Sequence, residues 1–157
     1  MKRVLIGMVL FVGLALPVRA AGLEEFKPLA EQGDAMAQYY LGFMYFEGLG
    51  VPKNDAEAVK WYRKAADQGI ARAQHELGLM YFRGLGVPRD RAEAYFWWTL
   101  AATRGYRKAP EWLKKATGFL TPDQRAAARS RAENWRPFCP NRMFFSRPAS
   151  RLAFSLA

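Results

Sequence analysis

LGFMYFEGLGVP occupies Leu41–Pro52 and LGLMYFRGLGVP occupies Leu77–Pro88, ten of twelve letters identical at an offset of 36 residues. A fixed period of that length marks a stacked-repeat architecture, in which each unit buries its apolar face against the next. Within the first copy, Ala37, Tyr40, Leu41, Met44 and Tyr45 recur at helical spacing and form one apolar stripe. Gly48 supplies the left-handed residue that ends such a helix. Gly50 permits a tight turn, and Pro52 holds Val51 extended. A second helix follows, with Asn54 as its cap and Glu57 three residues on, a capping-box pattern. Its stripe is Ala58, Trp61, Tyr62, Ala65 and Ala66, and Gly69 closes it.

The second copy keeps every device. Ala73, Leu77, Met80 and Tyr81 form the first stripe, Gly84, Gly86 and Pro88 the turn, and Asp90 and Glu93 the capping pair. Ala94, Trp97, Trp98, Ala101 and Ala102 form the second stripe, closed by Gly105. Gly42 and Gly78 sit inside the first helices, where Gly costs about 1 kcal/mol relative to Ala. The same cost at the same position twice predicts a close approach that leaves no room for a side chain.

The register extends outward. Phe26, Leu29, Ala30 and Gly33 lie 36 residues before Tyr62, Ala65, Ala66 and Gly69, so residues 21–33 read as a lone second-type helix. Ala109 and Leu113 follow Ala73 and Leu77, which predicts a third first-type helix over 107–117. Thr121, Pro122 and Gln124 then start a last helix filled by Ala126, Ala127, Ala128 and Ala132 and ended by Arg136-Pro137. The expected fold is all-α: a short α-solenoid of antiparallel helix pairs. It comprises repeats 34–69 and 70–105, capping helices over 106–137, and a basic-aromatic tail, 138–157, expected to be disordered.

The pattern A-x-A-Q-x-x-L-G-x-M-Y, G-x-G-V-P, E-A-x-x-W and A-A-x-x-G resembles the SEL-one-like repeat, a relative of the tetratricopeptide repeat. The resemblance covers Asp34–Tyr106 and implies an α-solenoid that works as a protein-interaction scaffold. Some exported bacterial members carry one disulfide per repeat and are linked to β-lactam binding. The paired cysteines are missing here, so that activity is not carried over.

The chain begins as an exported one would. Lys2 and Arg3 precede an uncharged run, Val4–Leu16, and Val18-Arg19-Ala20 offers a peptidase site, so residues 1–20 read as a secretory signal. Thirteen apolar residues are too few to span about 30 Å of hydrocarbon. Cleavage leaves no expected transmembrane segment, and the periplasm is favoured over the medium. From Ala21 to Thr103 there are nine basic and eleven acidic residues; from Arg104 onward there are twelve and three. In an exported protein such a basic third points to anionic lipid, envelope polysaccharide or an acidic protein face more than to nucleic acid.

Chemistry is sparse. His75 is the single histidine and Cys139 the single cysteine, which excludes an intrachain disulfide and leaves too few ligands for a metal site. Gly48, Gly50 and their copies follow a helix and lack the Lys-Ser/Thr ending of a phosphate loop. No carboxylate pair is visible for hydrolysis. The sequence therefore predicts no catalytic residue, metal or cofactor; an enzyme acting on cell-wall material is the remote alternative.

The expected partner is another protein. On the first-type helices, Tyr39, Phe43 and Phe46 lie opposite the core stripe, followed by His75, Leu79 and Phe82 and then by Glu111 and Lys115. Second-type helices show a polar back, Lys60, Arg63, Lys64 and Asp67. The first helices are thus the inner row. Their second stripe either packs neighbouring repeats together or lines a groove for a partner segment.

Overall fold

A computed structural model describes residues 21–138. The expected signal, the tail from residue 139 and Cys139 lie outside the described residues. Within them there are seven helices and no strand: α1 (Ala21–Glu31), α2 (Ala35–Glu47), α3 (Asp55–Asp67), α4 (Ala71–Arg83), α5 (Arg91–Thr103), α6 (Ala109–Thr117) and α7 (Pro122–Asn134). The pairs α2–α3 and α4–α5 are the two interlocked hairpins, with α1 packed on the outer side of α2.

The repeated dozen residues build the same turn twice. Gly48 and Gly84 take the left-handed conformation at φ 73° and 76°, and their N–H groups donate to the carbonyls of Met44 and Met80. Leu49 and Leu85 donate to those same carbonyls at 2.9 and 3.0 Å, which meets the unpaired ends of both helices. Asn54 then donates its N–H to Tyr45, and Asp90 to Tyr81, both at 2.9 Å. Gly86 lies directly against the backbone of Asp55, bringing the second turn onto the start of α3.

The interior glycines mark the close approach the sequence predicted. A Cβ on Gly42 would lie 2.7 Å from Cδ1 of Tyr62, and one on Gly78 2.5 Å from Nε1 of Trp98. Both rings are fully buried. Trp98 Nε1 also donates to the His75 carbonyl at 3.1 Å. Each hairpin therefore locks one aromatic ring of its second helix onto bare backbone of its first.

Caps follow the sequence in part. Asn54 Oδ1 accepts from Glu57 N at 3.0 Å, and Asp90 Oδ1 from Glu93 N at 2.9 Å. The return half of the expected box is absent in both repeats, because Glu57 pairs with Lys60 and Glu93 with Arg131. Among the described helices, only Thr121 and Gln124 close a full box, at 3.2 and 2.9 Å. The third first-type helix begins at Ala109 rather than 107, since Pro110 has no N–H to donate to a carbonyl four residues back.

Two further corrections concern faces. Leu29, in register with buried Ala65, is exposed on the lone outer helix α1, whose other outward residues are Glu24, Glu25, Lys27, Pro28 and Glu31. The second-type helices do not share one polar back. Where α3 carries Lys60 and Lys64, α5 carries Phe96 and Leu100, both buried.

Helix α7 covers that apolar back. It packs on α5 through Ala128 and Ala132 instead of forming a third hairpin with α6. Arg129 Nε donates to Tyr95 Oη at 3.0 Å, and the Arg131 guanidinium sits 4.2 Å from the Phe96 ring. The chain then crosses back over α3: Arg104 stacks on Trp135 at 4.5 Å, and Phe138 N donates to the Asp67 carbonyl at 2.7 Å.

Candidate functional site

The exposed face of the first helices is shifted from the one the sequence suggested. Met36 (44% exposed), Tyr40 and Phe43 (each 38%) face outward on α2, with Glu47 one turn on. Tyr40, assigned to the core stripe, stacks on Phe26 at 5.0 Å from the outside. Tyr39 is buried and packs against Tyr62, ring centroids 5.8 Å apart. His75, its copy, is 2% exposed and lies 4.7 Å from Tyr106 and 6.3 Å from Trp112. His75 thus joins the second repeat to the segment after it, whereas the ring contacts of Tyr39 lie within its own repeat.

The remaining predicted positions divide in the same way. Phe46 and Phe82 are half-buried; Lys53 sits 5.2 Å over the first ring, and the second packs against Trp98 at 5.5 Å. Leu79 is half-buried, while Glu111 and Lys115 are exposed and paired with each other at 2.9 Å. Only Phe43, Leu79 and Lys115 therefore share a register position on the outward face. The full outward rows are 36, 72, 108; 40, 76, 112; and 43, 79, 115.

Along this row lies a cleft of about 780 Å³, lined by Tyr39, Arg72, Glu76, Gly105, Tyr106, Arg107 and Lys108. Burial pushes the Glu76 carboxyl up, while Lys108, Arg83 and Arg72 pull it back. Tyr39 and Tyr106 are likewise raised by burial, with Glu76 adding to it. Burial lowers His75 to about 4, helped by Lys108. Its Nδ1 has no hydrogen-bond partner, and it does not line the cleft. A smaller cleft of about 490 Å³ opens where Trp135–Phe138 crosses Lys64, Asp67 and Gln68.

One pair of residues escaped the sequence reading although the quoted motif contains them. Gln38 and Gln74 are buried, and each donates its amide to the last turn of the preceding second-type helix, at the Ala30 and Ala66 carbonyls, both at 3.1 Å. Gln68 joins the first, donating to Gln38 Oε1 at 2.8 Å. A polar residue recurring in an apolar stripe was the signal.

The fold defines a short α-solenoid of stacked helical hairpins that presents one row of helices as a continuous surface. The chain carries two Sel1 repeats, matched over residues 35–70 and 71–106, and its solenoid is of the Sel1-repeat type. It is 40% identical over 68 residues to the secretory immunoglobulin A-binding protein EsiB of Escherichia coli O6:H1, covering 41% of this chain and 14% of that one. It is 49% identical over 41 residues to a sel1-like repeat-containing protein of Acanthamoeba polyphaga mimivirus, covering 26% of this chain and 7% of that one. The crystal structure of c5321, a protective antigen of uropathogenic Escherichia coli strains displaying an SLR fold, superposes with a TM-score of 0.69 at 35% identity. That match covers 72% of this chain and 24% of c5321. A Sel1 repeat protein from Oxalobacter formigenes gives a TM-score of 0.60 at 43% identity, over 61% of this chain and 28% of its own. The chain thus spans about a quarter or less of each of these relatives. Sel1-repeat proteins are generally interaction scaffolds. Among the described residues, no helix is long and apolar enough to cross a membrane.

Proposed function

We propose that this protein is an exported, non-enzymatic adaptor of the bacterial envelope that docks a partner protein on its first-helix row. The observation that carries the reading is the outward stripe Met36, Tyr40 and Phe43, three large apolar side chains left in solvent on one helix. Apolar side chains grouped on one face, rather than scattered singly, are what a docking surface requires. The similarity to EsiB, named for binding secretory immunoglobulin A, supports a protein as partner. Export rests on the residue pattern of 1–20.

An anionic envelope surface as the main target has less support. Arg104, Arg129 and Arg131 of the basic third lie on Trp135, Tyr95 and Phe96, where they hold α7 and the crossing segment in position. A cell-wall enzyme is not favoured either: Glu76 is the one carboxylate lining the large cleft, and His75 is buried away from it.

The test is capture from envelope extract by the parent chain and by the triple variant Met36→Ser/Tyr40→Ser/Phe43→Ser, with helix content checked by circular dichroism. The reading predicts a defined partner on the parent, lost with the folded variant. Capture that is unchanged by the variant would refute it.

A further inference from the structure

The outward face changes its chemistry from one level to the next. Met36, Tyr40 and Phe43 on α2 become Arg72, Glu76 and Leu79 on α4, then Lys108 at the cap of α6 with Trp112 and Lys115 on it. Arg72 and Lys108 meet Arg107 in the large cleft, beside Tyr39 and Tyr106. Like most basic residues among those described, none of these three cations forms an ion pair with a carboxylate; what sets them apart is that they line one cleft together. Three cations facing one half-buried carboxylate leave the cleft net positive. The helix ends add to this. Asp34, Asn54, Asp90 and Thr121 cap α2, α3, α5 and α7, whereas Ile70 and Lys108 provide no side-chain cap to α4 and α6. The positive ends of the two helices bordering the cleft thus have no capping side chain of this chain.

We infer that the cleft seats acidic side chains of a partner peptide. Its Asp or Glu carboxylates lie among Arg72, Arg107 and Lys108, and its apolar residues run over Leu79 toward Phe43, Tyr40 and Met36. The inference deepens the docking reading and rests on it. It also gives the peptide a direction, with the acidic end toward α6 and the apolar end toward α2. Charge complementarity selects the occupant: two guanidinium forks match carboxylates in geometry as well as in sign. An anionic lipid surface fits less well, because the cations line a cleft beside Tyr39 and Tyr106 rather than a flat face.

The experiment is selection of a random peptide library of about twelve residues on the full chain. One labelled winner is then titrated by fluorescence anisotropy. The expected winners carry an Asp/Glu cluster beside apolar residues. Binding should fall at least about tenfold in Arg72→Glu/Lys108→Glu and stay within about twofold in Lys60→Glu/Lys64→Glu, which makes the same charge change on the back. If the cleft variant loses helix content, Arg72→Gln/Lys108→Gln takes its place. Winners without an acidic excess, or equal losses in both charge variants, would overturn the inference. Winners that depend on Phe43 but not on Arg72 and Lys108 would overturn it while leaving the docking reading standing. No winner at all would remove both.

Discussion

At the scale of single residues, what holds each repeat is a ring seated on bare backbone. Gly78→Ala would gain about 1 kcal/mol of helix propensity. It would also drive a methyl group to 2.5 Å from the buried Trp98 ring, and overpacking a core typically costs about 1–3 kcal/mol. Since that ring is fully buried and donates to the His75 carbonyl, it has little room to yield. We expect Gly78→Ala, and Gly42→Ala against Tyr62, to be net destabilising in urea unfolding; a neutral or stabilised variant would show that the rings can move. Gln74 carries a different load. Replacing it with Leu removes one of two hydrogen bonds to the buried Ala66 carbonyl, which keeps the bond from Gly69 N at 2.9 Å, and also removes the unpartnered Gln74 Oε1. The expected loss on the same measurement is at most about 0.5–1.5 kcal/mol.

His75 makes stability depend on pH. Its folded value, about 4, lies below the ordinary 6.5, so the folded state holds the imidazole neutral. The stabilisation from that neutral form is complete above pH 6.5 and is lost as pH falls from 6.5 to 4, in total roughly 2–4 kcal/mol. Glu76 and Asp67, raised by burial, act in the opposite direction. The measurable quantity is therefore a difference: between pH 7.5 and 4.5 the parent should lose more stability than His75→Phe. Parallel losses would show that His75 does not titrate this way.

At the scale of helices, the two hairpins were legible because every interlocking device appears twice in sequence. What was not read is the behaviour of α7. At the register of Gly42 and Gly78, α6 has Lys114, and at the register of Tyr62 and Trp98 the last helix has Asn134. A third hairpin has neither the bare backbone nor the ring it needs. Meanwhile Phe96 and Leu100 replace Lys60 and Lys64 on the back of α5, offering α7 an apolar seat there. Those letters held the answer, but a period alone does not say which helix a flanking helix will cover. Tyr39 and Tyr40 illustrate a second limit. Adjacent aromatics differ by 100° around a helix, and which one faces the next repeat depends on how the hairpins stack. The seat of α7 can be tested at Trp135, which stacks on Arg104 and packs against the main core. Trp135→Ala should lower stability by roughly 1–3 kcal/mol and loosen α7 in hydrogen exchange while α2 and α3 stay protected. Uniform loss of protection would mean that α7 is not a separate cap.

At the scale of the whole molecule, two repeats form a small array, and its ends are closed in different ways: α1 by a polar outer face, α5 by α7 and the segment crossing to α3. This leaves the first-helix row as the continuous open surface, apolar at α2 and basic toward α6. The signal proposed at 1–20 predicts that the protein recovered from the producing cell is periplasmic and begins at Ala21; a cytoplasmic chain retaining Met1 would remove the envelope from the account. The central claim, however, is that the first-helix row docks a protein. It is tested most directly by a photo-crosslinking amino acid placed in turn at Phe43 on the row and at Lys64 on the back, followed by irradiation of intact cells. The account predicts a discrete protein adduct from position 43 and none from position 64. An adduct from position 64 alone, or from neither, would contradict it.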